Sequence, residues 1–97
     1  MLNYDRRELE RICRARGLRR VELFGSRVRE DARPDSDVDL LVEYDPARAM
    51  TMFQFMDLED ELAALFPGLR VDVVSRNGLS PYLRDSILSK ARVLYER

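Results

Sequence analysis

The run DVDLLVEY, Asp37 to Tyr44, constrains this chain more than any other stretch. Val38, Leu40, Val42 and Tyr44 recur at every second residue, which places them on one face of an extended segment. The other face then carries Asp37, Asp39, Leu41 and Glu43. An ionised carboxylate inside such an element loses its hydration unless a partner compensates. Asp37, at the strand start, reads by itself as a turn or cap residue. Asp39 sits between Val38 and Leu40, and Asp72 repeats the pattern between Val71 and Val73 in the later run LRVDVVS. Aspartate is depleted in strands, so two apolar strands each interrupted by one point away from pure structure.

The flanking signals predict the remaining elements. Asp5 with Glu8 has the spacing of a capping box and Gly17 that of a helix stop, with Leu9, Ile12 and Cys13 on one face between them. Val21, Leu23 and Phe24 form a short strand ending at Gly25-Ser26. Asp45-Pro46 closes the second strand. Thr51 and Gln54 cap a helix with the stripe Phe55, Leu58, Leu62, Leu65 and Phe66, which Pro67-Gly68 stops. The third strand spans Leu69 to Ser75, and Asn77-Gly78 is a turn. Ser80 and Pro81 then open a last helix with Leu83, Ile87, Ala91 and Leu94 inward. The expectation is one domain over residues 1–97. Its fold class is α/β (α+β), with a small mixed sheet of about three to four strands flanked by helices.

Composition removes several chemistries. Among the 97 residues there is no histidine, so Ser-His-Asp, Cys-His and His-ligated zinc sites are excluded. The one cysteine, Cys13, forms no internal disulfide and reads as a core residue, and a reducing cytoplasm is the expected setting. No apolar run reaches the roughly 20 residues that span a bilayer. Seven arginines between Arg6 and Arg20 load the N-terminal part, whereas from Asp35 to Glu61 Arg48 is the only base. With a net charge of −1 the electrostatic footprint for direct nucleic-acid binding is thin.

Side chains two residues apart on a strand lie about 7 Å apart on the same face. Asp37 and Asp39 therefore project together, and Asp72 joins them if the third strand pairs beside the second. Three such carboxylates repel one another unless protonated or neutralised. A hard divalent cation answers this, since Mg²⁺ takes carboxylate oxygens and fills its other positions with water and substrate phosphate. Two such ions about 3.5–4 Å apart clamp an in-line phosphoryl or nucleotidyl displacement. Gly25 and Ser26, followed by Arg27, Arg29 and Arg33, offer backbone donors and planar cations that suit phosphate. Gly-Ser after a strand is a common turn; the aspartates that follow give it weight.

The set Gly25-Ser26, Asp37-Val38-Asp39 and Asp72 resembles the DNA polymerase β-type nucleotidyltransferase superfamily, and within it the minimal nucleotidyltransferase (MNT) branch. The segment GSRVREDARPDSDVDL matches the branch's pattern at Gly25, Ser26, Arg29, Ala32, Ser36, Asp37, Asp39 and Leu40. Val28 and Glu30 depart from it, replacing the usual alanine and glycine. The resemblance implies a polymerase β-like palm. Asp37, Asp39 and Asp72 would hold two Mg²⁺ ions, and Asp72 would help activate an acceptor hydroxyl. Gly25, Ser26 and Arg29 would hold or support the phosphates. ATP would be the substrate, AMP the group transferred, and a tyrosine of a HEPN ribonuclease toxin the acceptor, with this chain as antitoxin in a hetero-oligomer. The alternatives are a binding-only antitoxin with a vestigial site, which Glu30 favours, and a nucleotidyltransferase for a small molecule or an RNA end.

Overall fold

The computed structural model describes residues 3–25, 37–76 and 91–97. Helix α1, Arg6–Arg16, starts where Asp5 Oδ1 accepts the backbone N–H groups of Arg7 (3.0 Å) and Glu8 (3.2 Å). The reciprocal half of the expected capping box is replaced, because the Glu8 carboxylate accepts from Arg11 one turn later. Gly17 ends the helix at φ 70°, and its N–H returns to the carbonyls of Cys13 and Arg14. The Arg48 side chain lies where a Cβ on Gly17 would be, 2.8 Å from that position at its terminal nitrogen. Glycine is thus required here for its backbone, while the exposed end of the Arg48 side chain swings aside for a Cβ at little cost.

Strand β1, Leu18–Phe24, continues directly from that turn and pairs antiparallel with β2, Val38–Tyr44. The register shifts between Leu18 and Arg20, and this irregularity has a purpose in packing. Leu18, Val21 and Leu23 are all buried in the same core although Leu18 and Val21 are of opposite strand parity, and a bulge supplies the odd residue. After a 3₁₀ turn at Pro46–Arg48, helix α2, Met52–Ala63, opens with the capping box read from the sequence: Gln54 N–H donates to Thr51 Oγ1 (3.2 Å) and Thr51 N–H to Gln54 Oε1 (2.9 Å). The helix ends at Ala63, and Leu65 and Phe66 reach the core from the following turns. Strand β3, Val71–Ser75, lies parallel to β2.

The C-terminal segment corrects the sequence reading. Arg92–Glu96 is a strand, β4, paired antiparallel with β1, and Leu94 is not on a helix. The reason is non-local: β1 offers an unpaired edge, and the Val-Leu-Tyr run satisfies it while Leu94 and Tyr95 both pack on the core across a second register shift. Of the other positions of the expected last helix, Ala91 directly precedes β4 and is not helical, and Leu83 and Ile87 lie outside the described residues. The mixed sheet has the order β3-β2-β1-β4. Leu9, Ile12 and Cys13 of α1 and Leu58 and Leu62 of α2 pack with Val38, Leu40 and Val42 in one core, so both helices cover the same sheet face. Glu61 ties them together by accepting from Arg16, with Arg11 at 3.8 Å. The residues of opposite parity in β2, Asp39 and Leu41 among them, are left for the other face.

Candidate active site

The parallel pairing of β2 with β3 sets Asp39 directly in register with Asp72. Partners at one register in a parallel ladder point to the same side, so the two carboxylates stand together on the face away from the helices. The ladder begins where Val38 N–H donates to the Arg70 carbonyl at 2.8 Å, which places Asp37 at the very mouth of this edge. Across the sheet Phe24 pairs with Asp39, and the chain then turns at Gly25 with φ 77°. A Cβ on Gly25 would overlap Asp39 Oδ2 and lie 3.3 Å from Asp39 Cγ. The glycine lets the start of the loop press against the Asp39 carboxylate.

Burial raises the pKa of Asp39 above the ordinary carboxylate value, and the charges of Asp72 and Asp37 push it further the same way; Arg70 opposes. Asp72 is about half exposed and lies 3.7 Å from Arg70 Nε. Arg70 is the cation that the sequence reading missed, and its signal was its place two residues before Asp72, immediately ahead of β3. The Asp39 carboxylate makes no hydrogen bond or ion pair among the described residues. Among those residues no three His, Cys, Asp or Glu side chains form a ready metal cage. The donor set fits a hard cation all the same, since Mg²⁺ is held by one or two carboxylates and completed by water and substrate phosphate. Ser26 and Arg29, the other expected phosphate-side residues, and Glu30 lie outside the described residues.

Glu22 shows what a structural carboxylate on this face looks like. It lies between Val21 and Leu23, the same pattern as Asp39 and Asp72, and spacing alone does not tell the three apart. Its side chain is 5% exposed, with Arg20 Nε at 3.2 Å and Arg76 at 3.4 Å, and Arg76 also reaches Glu43 at 3.0 Å. Two arginines neutralise Glu22 inside the fold. Among the described residues the charges that act on Asp39 are two other carboxylates and one exposed arginine. That difference separates a carboxylate held for stability from a pair left for an added cation.

A mixed sheet with helices on one face, and on the other neighbouring-strand carboxylates beside a glycine turn, is the palm of a nucleotidyltransferase. The chain belongs to the polymerase β nucleotidyltransferase family: the family profile described as polymerase beta, nucleotidyltransferase matches residues 7–97. It is 40% identical over 72 residues to the protein adenylyltransferase MntA of Thermococcus cleftensis, covering 74% of this chain and 70% of that protein. A solved structure of a candidate minimal nucleotidyltransferase superposes with a TM-score of 0.71 at 42% identity, over 89% of this chain and 85% of that one. The fold also matches, at 20% identity and a TM-score of 0.66, a chain from the complex of a tri-AMPylated Shewanella oneidensis HEPN toxin with its MNT antitoxin, covering 95% of this chain and 70% of that one. Among the described residues no helix is long and apolar enough to cross a membrane.

Proposed function

We propose that residues 1–97 form one minimal nucleotidyltransferase domain. It transfers AMP from ATP to a tyrosine of a HEPN-type toxin and so acts in the cytoplasm as that toxin's antitoxin. The observation that carries this reading is the Asp39–Asp72 register beside Gly25. It is supported by the adenylyltransferase name of the relative from Thermococcus and by the AMPylated toxin in the more distant complex.

Asp37, Asp39 and Asp72 are the residues that would hold two Mg²⁺ ions. When bound, these ions supply charge neutralisation and polarisation of the phosphates. The chain's own part is positional. Gly25 keeps the loop start against Asp39, and Ser26 and Arg29 are the phosphate-side donors of this reading. Asp72, with about half of its side chain exposed, is the group that takes the acceptor hydroxyl proton in this reading. The acceptor oxygen bonds to the α-phosphorus, the bond to the β-phosphate oxygen breaks, and pyrophosphate leaves with that electron pair.

The test combines the chain with Mg²⁺, ATP and the HEPN protein encoded beside it. Intact-mass spectrometry should show the toxin gaining the mass of AMP, and Asp39→Ala should abolish the gain while still binding the toxin. If Asp39→Ala neutralises the toxin as well as the native chain does, the catalytic reading is wrong and blockade by contact replaces it.

A further inference from the structure

The outer face of α2 is unlike the rest of the described surface. Met52, Phe53 and Met56 are 79%, 80% and 53% exposed, and the only other large apolar residue so exposed among the described residues is Val93 on β4. Spaced i, i+1 and i+4, these side chains form one apolar spot over the first turn and a half of the helix. Asp57 and Asp60 continue the same face toward the C-terminal end; both are exposed, and neither has an ion pair among the described residues. Leu58 and Leu62 occupy the opposite, buried side of the helix.

We infer that this face of α2 is the docking surface for the HEPN-type partner, which meets it with an apolar hollow rimmed by lysine or arginine. The inference rests on the antitoxin reading and names where the toxin is gripped. Charge complementarity selects the occupant. The described arginines that reach α2 from α1, Arg11 and Arg16, are engaged by Glu61, and Asp57 and Asp60 stand exposed without an ion pair among the described residues, so a partner that brings cations complements them. A second copy of the chain is the poorer fit, because the outward residues of α1 are mainly charged and give Phe53 no apolar hollow.

The patch is also built for rigid presentation. The Thr51–Gln54 capping box fixes the turn that carries Met52 and Phe53, so little ordering remains for the bound state. Its place matters for the chemistry. The helices cover one face of the sheet and the Asp39–Asp72 pair stands on the other, so a toxin subunit held at α2 leaves the carboxylates uncovered.

The experiment measures binding of the purified chain to the adjacent HEPN protein by calorimetry across salt concentrations. Phe53→Asp should weaken the complex at least about tenfold, as loss of a central aromatic anchor does. Asp57→Lys with Asp60→Lys should weaken it at low salt and flatten its salt dependence. Both variants should keep the native unfolding midpoint and the native stabilisation by Mg²⁺ with ATP. Native-like affinity and salt dependence in both variants overturn the inference. So does a chain that dimerises alone and becomes monomeric on Phe53→Asp. If the native chain does not bind the toxin at all, the antitoxin reading falls, and the docking surface with it.

Discussion

Gly25→Ala separates the backbone's demand for glycine from the site's. At φ 77° an alanine is held in the left-handed region, which costs about 1–2 kcal/mol. The new methyl also overlaps Asp39 Oδ2 and stands 3.3 Å from Cγ and 3.5 Å from Cβ of Asp39. The colliding atom is the tip of a side chain, so the collision is relieved by rotating the carboxylate and adds little to the loss of stability. A domain of this size loses roughly 4–8 °C of Tm per kcal/mol, which gives a fall of about 4–16 °C. Rotation of Asp39 out of line with Asp72 removes the paired donors, so the response to ligand should go as well. Gly68→Ala is the control: its φ is 82° and nothing lies within 4 Å of the added methyl. Differential scanning calorimetry with and without Mg²⁺ and ATP reads both effects. The native chain should gain about 2.7 kcal/mol at a hundredfold excess of ligand over Kd. Gly68→Ala should lose Tm yet keep that gain, and Gly25→Ala should lose both. A Gly25→Ala protein that retains the full nucleotide-linked gain refutes the argument that Gly25 is there to seat the loop against Asp39.

Three further outcomes follow from the same geometry. Because the Asp39 pKa is raised in the fold, the folded state holds more protons than the unfolded chain between the ordinary carboxylate value and the raised one. Stability in chelator should therefore fall as pH rises through that window. Asp39→Asn should flatten the fall and stabilise the metal-free protein at neutral pH, read from thermal melts against pH. Glu22→Gln should cost about 1–3 kcal/mol by removing the buried negative charge that compensates Arg20 and Arg76, and an unchanged urea midpoint would sink the neutralisation argument. Cys13 is fully buried and its thiol is pushed up to about 12, by burial first and by Glu10 second. Iodoacetamide at pH 8 should leave the native protein unlabelled while it labels the urea-unfolded chain, and native labelling at the free-thiol rate would contradict that burial.

Signals of short range were legible in the sequence. Asp5, Gly17, Thr51 and Gln54 mark helix ends because caps act through hydrogen bonds within one turn, and each is seen at its expected place. The alternation in DVDLLVEY assigns Asp39 to the face opposite Val38, Leu40 and Val42, since period two is a property of the extended backbone itself. Tertiary structure alone decided the rest. Arg92–Glu96 carries too few residues for periodicity to tell strand from helix, and the open edge of β1 made it a strand. The bulge that admits Leu18 to the core, the two arginines that converge on Glu22, and the parallel register that sets Asp72 beside Asp39 all join residues far apart in the chain. Spacing along a sequence says which way a side chain points from its own strand. Which side chain stands next to it is settled only when the strands pair.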